Sequence, residues 1–150
     1  MNGTERVKLS KVIEKMQLTN LTPDVDTSGI WLHIPEVNRP ALQLTGFYNQ
    51  FDNDRIQIIG NVEYSYLSSL SETDRYERYM QLLSSNIPCL VFCRDLEPEA
   101  KVIELATKYK IPILKSKAAT SAFMAEVIRW LNVQLAPVSY THLRAHETRH

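Results

Sequence analysis

Residues 55–93 read RIQIIG-NVEYSYLSSL-SETDRYERYMQLLSSN-IPCLVFC, and the class of fold turns on this stretch. Arg55-Ile-Gln-Ile-Ile-Gly60 is a short β-branched apolar run closed by glycine, which reads as a strand. Val62 to Leu70 and then Ser71 to Leu83 read as helical. In the second of these, Ser71 with Asp74 three residues on is a capping box with Asp in place of Glu or Gln, and Tyr76, Tyr79, Met80 and Leu83 share one helical face. Ile87 to Cys93 is again a continuous apolar run of strand length.

The same alternation continues outward. Pro98 suits the first turn of a helix over Glu99 to Lys110, whose apolar stripe is Val102, Ile103, Leu105, Ala106 and Tyr109 and whose Lys108 and Lys110 suit the carboxyl end of the dipole. Ile111-Pro-Ile-Leu114 reads as a short strand with Pro112 at its start or at a sheet edge, because proline cannot donate to a ladder. Thr120 or Ser121 is expected to cap a long helix through Phe123, Val127, Ile128, Trp130, Leu131 and Leu135. Strand and helix alternating three times is the βαβ signature, so the expected class is α/β with a mostly parallel sheet covered by helices. Toward the amino terminus the pattern is less regular: a helix from about Lys8 to Met16, a strand at Leu18 to Leu21, a turn at Pro23-Asp-Val-Asp26 and a strand at Ile30 to Ile34. No internal repeat, low-complexity stretch or Gly/Ser linker divides the chain before residue 135.

A chain of 150 residues is the size of one compact domain, able to bury roughly 70% of the surface its unfolded form exposes. Seventeen basic residues balance seventeen acidic ones, so no overall field draws nucleic acid or an anionic membrane. Met1 to Lys15 mixes Glu5, Arg6, Lys8 and Lys11 with single apolar residues and holds no signal-peptide or spanning run, which leads to an expected cytoplasmic location. Cys89 and Cys93 would share one strand face roughly 13 Å apart, too far to bridge, and read as buried thiols.

Catalytic candidates are sparse. His33 lies alone in the apolar run Ile30 to Ile34 and reads as a structural strand histidine. No G-x-S-x-G, G-x-G-x-x-G or G-x-x-x-x-G-K-[ST] occurs, and four glycines (Gly3, Gly29, Gly46, Gly60) do not build a phosphate-cradling loop. Asp52, Asp54 and Arg55 read as a polar turn rather than a carboxylate dyad. Asn61 can cap the helix after Gly60, with Glu63 at the positive end of its dipole. The stretch Asn38 to Phe51 stands apart, since it joins an Arg-Pro corner, a glycine and three aromatics. One reading is a ligand-facing loop with Arg39 as anion anchor, Thr45 beside it, and Phe47, Tyr48 or Phe51 as walls; the speculative ligand-binding residues are Arg39, Thr45 and Tyr48. The other is a structural elbow whose aromatics belong to the core.

The segments Arg39 to Tyr48, Asp54 to Leu67, Pro88 to Asp95, Ile111 to Ser116 and Leu131 to Pro137 follow one another, over roughly residues 5 to 137, in a way that resembles the amino-terminal domain of HPr kinase/phosphorylase. That resemblance implies a three-layer α/β/α domain similar to the first domain of muramyl-peptide ligases. It further implies a bifunctional enzyme of hexameric assembly that phosphorylates a serine of HPr with ATP or pyrophosphate and magnesium and removes the phosphate again. Such an enzyme governs carbon catabolite repression and the sugar phosphotransferase system. The resemblance places the phosphate loop, magnesium ligands and catalytic aspartate in a carboxy-terminal domain, so no catalytic residue, cofactor or HPr contact carries onto this chain, and the expected role is regulatory or in assembly. A stand-alone, anion-sensing module is the alternative. The expected organisation is a domain over 1–137 and a non-native tail over 138–150, because Val138 to His150 resembles a translated sequencing adapter. The tail's His142, His146 and His150 would share a helical face but lack the rigid frame and supporting partners of a metal site, and no metal is expected.

Overall fold

The structure, a computed structural model, describes residues 5–137; the tail assigned above lies outside them. Five strands form one sheet in the order β2-β7-β6-β5-β4, namely β2 (Thr19–Asn20), β7 (Ile113–Lys115), β6 (Leu90–Phe92), β5 (Ile56–Ile59) and β4 (Val37–Asn38). β4 to β7 are mutually parallel, with Val37 opposite Ile56, Gln57 opposite Leu90 and Leu90 opposite Ile113, and β2 closes one edge antiparallel to β7. β5 and β6 are buried at every position. This is why they appear in the sequence as apolar runs, as strands covered on both faces do, broken only by Gln57 of β5.

Two hydrophobic clusters identify the layers. On one face α1 (Leu9–Lys15) and α6 (Thr120–Leu135) bury Leu9, Val12, Phe123, Val127, Leu131 and Leu135 against Ile56, Ile58, Val91 and Leu114. On the other, α2 (Ala41–Leu44), α3 (Asn61–Ser69), α4 (Glu72–Leu83) and α5 (Ala100–Tyr109) bury Leu44, Leu67, Tyr79, Leu82, Leu83, Val102 and Ala106 against Ile59, Leu90, Phe92 and Ile113. Alternate strand residues point to opposite faces, so the mostly parallel α/β arrangement is the expected one. The spacing of four in α6 sets its buried side chains in one stripe, and truncating one of them, such as Leu131→Ala, costs roughly 2–5 kcal/mol.

Several local expectations change. β1 (Val7–Lys8) and β3 (Trp31–Leu32) pair with each other as a separate antiparallel ribbon, outside the main sheet, and Arg6 lies 3.7 Å above the Trp31 ring. β4 and α2, two and four residues long, are too short for periodicity to announce. The α6 cap is Ala119, not Thr120 or Ser121, and the α3 cap is Gly60, with Asn61 already helical. Met80 is exposed, and Leu82 takes the core place instead. Ser71 does cap α4 by accepting from the Asp74 N–H at 3.2 Å. Pro112 directly precedes β7, and its carbonyl accepts from Leu90 N–H at 3.0 Å. His33 is exposed rather than packed in a strand. Gln57, fully buried, donates to the Asp52 and Arg55 carbonyls and accepts from Asn38 Nδ2 at 2.7 Å, which ties the Asp52–Arg55 turn to β4.

Candidate functional site

In parallel α/β sheets the crevice outside the carboxyl ends of the strands is the usual place for a ligand. Here β4 runs out into Arg39, β5 into Gly60 and β6 into Cys93. Arg39 precedes Pro40, which biases its backbone to an extended form. Its Nε donates to Glu63 Oε2 at 2.9 Å and its Nη2 to Glu63 Oε1 at 2.7 Å. Glu63, in the first turn of α3, also accepts from the Gly60 N–H at 2.8 Å. Its side chain is 2% exposed, against 35% for Arg39. Three donors converge on one buried carboxylate, an arrangement that holds the ion pair and also caps α3.

Gly60 makes this packing possible. A Cβ there would meet Arg39 Nη2 at 2.6 Å and Thr120 Oγ1 at 2.7 Å. Thr120, the first residue of α6, is therefore pressed onto the same corner, and its buried hydroxyl has only the Cys93 thiol as a polar neighbour beside Arg39. The arrangement binds the ends of β4 and β5 to the starts of α3 and α6. Glu63 looks in the sequence like a helix-dipole residue alone; its pairing with a residue 24 positions away leaves no local signal.

The three speculative ligand residues face different neighbours. Arg39 is committed to Glu63 through two of its nitrogens. The Thr45 hydroxyl donates back to the Leu42 carbonyl at 2.6 Å, closing α2. Tyr48 packs edge-on against Phe51 with centroids 5.4 Å apart; burial pushes its phenol pKa up, partly offset by Ser85 and Arg78 beside the hydroxyl. Arg78 of α4 faces this loop, a residue the sequence pattern did not single out. Its Nη1 comes 3.2 Å from where a Cβ of Gly46 would stand, and its Nε is buried and unpartnered. Gly46 has φ of +100°, a conformation that favours glycine. Phe47 is half exposed and Phe51 packs on the α2–α5 cluster, so these aromatics divide between surface and core.

The other candidates are accounted for by packing. Asp52 lies 3.5 Å from Arg55, which also pairs with Glu36 at 2.7 Å, consistent with a braced turn. Cys89 and Cys93 are both free and on the α1/α6 face, and burial pushes their thiols up to about 12 and about 11. Among the described residues no group of three or more metal-ligating side chains converges, and no helix is long and apolar enough to cross a membrane.

Fold and site together define a layered α/β domain whose strand ends are locked by an ion pair, with no glycine-rich phosphate loop in its sequence. The family described as HPr Serine kinase N terminus matches residues 7–131, and the chain belongs to it. It is 50% identical over 131 residues to the HPr kinase/phosphorylase of Lachnoclostridium phytofermentans, covering 87% of this chain and 42% of that protein. With the HPr kinase/phosphorylase of Clostridium acetobutylicum it shares 34% over 137 residues, or 91% of this chain and 44% of the relative. The chain thus spans less than half the length of these curated relatives. Among solved structures it resembles the CBS and DRTGG domains of the regulatory region of Clostridium perfringens pyrophosphatase, determined with the activator diadenosine tetraphosphate. The TM-score is 0.54 at 18% identity, over 89% of this chain and 49% of that one, a likeness of fold.

Proposed function

We propose that this chain is the amino-terminal regulatory and assembly domain of a bifunctional HPr serine kinase/phosphorylase. The observation that carries the reading is the family match over residues 7–131 together with relatives that extend well beyond the matched part. On this proposal the ATP or pyrophosphate and magnesium sites, and the surface that meets HPr, belong to a carboxy-terminal domain, and the lack of any G-x-x-x-x-G-K-[ST] in this sequence supports that division of labour. A cytoplasmic hexamer controlling carbon catabolite repression and the sugar phosphotransferase system is part of the same proposal, as is the likeness to the first domain of muramyl-peptide ligases. The 150-residue chain incubated with HPr, magnesium and labelled ATP should transfer no phosphate. Deleting the corresponding domain from the Lachnoclostridium phytofermentans relative should leave the chemistry while changing its oligomeric state or its response to effectors. Phosphate transfer by the chain alone, or a deletion that leaves both assembly and regulation intact, would overturn the proposal.

A second reading, an anion-sensing module on the Arg39 to Phe51 elbow, draws support from Arg78 beside Tyr48, whose buried Nε lacks a partner. Arg39 and Thr45 would serve it only by holding the loop. If inorganic phosphate or pyrophosphate raises the melting temperature of wild type but not of Arg78→Met, this reading gains; if neither anion shifts wild type, it is lost.

A further inference from the structure

A cleft of about 300 Å³ opens between α3, α4 and the start of α5, lined by Tyr64, Leu67, Ser68, Arg75, Tyr79 and Glu99. Its volume sits at the low end of the roughly 300–1,000 Å³ of small-molecule sites, enough for about one ring. The walls are fixed from below, because Phe92 of β6 holds Tyr64 edge-on at 6.3 Å and stacks on Tyr79 at 6.5 Å.

Charge at the rim is already balanced. Arg75 Nε and Nη2 donate to the two Glu99 oxygens at 2.7 and 3.1 Å, and Nη1 donates to the Leu70 carbonyl at 3.1 Å, so each guanidinium nitrogen is engaged. Tyr76 adds a further donor to Glu99 at 3.2 Å. An anion would have to displace Glu99, and a cation would have to displace Arg75.

Hydroxyl groups are what the cleft offers. Tyr79 is only 2% exposed, and burial holds its phenol pKa well above the ordinary value with no hydrogen bond to relieve it. Despite its burial, Tyr79 lines the cleft beside Tyr64, Arg75 and Glu99. Tyr64 donates to the Glu97 carbonyl at 2.6 Å and keeps its lone pairs free to accept. Ser68 is exposed at the mouth. Hydroxyls both donate and accept, the Glu99 carboxylate keeps spare lone pairs, and Leu67 with the tyrosine rings supplies apolar surface for C–H groups.

We propose that this cleft binds a small neutral ligand about one ring in size that carries several hydroxyl groups, the chemistry of a free monosaccharide. The Tyr79 hydroxyl and the Glu99 carboxylate orient it. The proposal does not depend on the kinase reading, since it rests on this chain's own cleft.

The test is ligand-observed saturation-transfer NMR on the full 150-residue chain, with glucose and ribose as probes. Tyr79→Phe removes only an oxygen that has no protein partner, so the fold should persist, which an unchanged melting temperature confirms. Loss of that one neutral hydrogen bond should weaken binding on the order of three- to tenfold. Ser68→Phe, at an exposed position, should block the mouth and abolish the signal. Glucose 6-phosphate should bind no better than glucose. The proposal is overturned if neither sugar binds wild type, if both variants bind as wild type does, or if the phosphorylated sugar binds clearly more tightly.

Discussion

Replacing Arg39 with methionine keeps most of its aliphatic stem while removing two of the three donors to a carboxylate that is 2% exposed. Glu63 would retain only the Gly60 N–H at 2.8 Å. Breaking a buried pair from one side costs about 3–5 kcal/mol, because the remaining charge has neither water nor partner. Arg39 is 35% exposed, so water enters the vacated side and the lower figure, about 3 kcal/mol, applies. For a domain of this size that lowers the melting temperature by about 10 °C. The rescue is more telling than the loss. Arg39→Met combined with Glu63→Gln removes the stranded charge and keeps an acceptor for Gly60, so the double variant should be more stable than Arg39→Met alone by about 1–2 kcal/mol. Arg39→Lys, which offers a point charge in place of a fork, should fall between wild type and Arg39→Met. Urea unfolding at neutral pH with parallel calorimetry measures all four proteins. A change of under about 2 °C for Arg39→Met would place the pair among ordinary surface bridges, worth ~0–1 kcal/mol, and failure of Glu63→Gln to rescue would remove the stranded-charge argument; either result refutes the brace.

Gly60→Ala should destabilise by about 1–3 kcal/mol through overpacking, since its φ of −109° suits alanine and only the contacts at 2.6 and 2.7 Å stand in the way; chemical denaturation reads this directly. Thr120→Val removes, at nearly constant shape, a buried hydroxyl whose polar neighbour is the weakly bonding Cys93 thiol, and its melting temperature should equal or exceed that of wild type. Hydrogen bonds from Arg75 hold the Glu99 carboxyl below its ordinary value of 4.5. A lowered folded pKa contributes stability above the unfolded value that is lost as pH falls through the folded one. Glu99→Gln should therefore melt a few degrees lower at neutral pH, consistent with ~1 kcal/mol or less for this exposed pair, and the gap should close as pH drops below about 4.5. With thiols pushed up to about 12 and 11 by burial, Cys89 and Cys93 should resist iodoacetamide at pH 8 in the native protein and react promptly in urea; fast native labelling would show that the α1/α6 face opens.

The class of fold was legible in the sequence because β5 and β6 are buried on both sides and so are apolar at nearly every position, Gln57 being the hydrogen-bonded exception, while α4, α5 and α6 present stripes at helical spacing. Ser71 as a cap and Pro112 before a strand were legible for the same reason, since each depends on neighbours within a few residues. The alternation of strands and helices, the missing phosphate loop and the balanced charge are likewise properties of the sequence by itself. Tertiary structure alone decided what Arg39 does. Its partner lies 24 residues on, and nothing local distinguishes a guanidinium that waits for a ligand from one that has found Glu63. It decided that Gly60 is there for close approach rather than for a turn, that Thr120 packs instead of capping, and that Arg78 comes to face Tyr48. It also brought Tyr64, Tyr79 and Glu99, from three different helices or their ends, around one cleft. Periodicity reports which side of an element meets the core, but contacts between elements depend on how the chain returns across the sheet, and that is set by the packing of the whole domain.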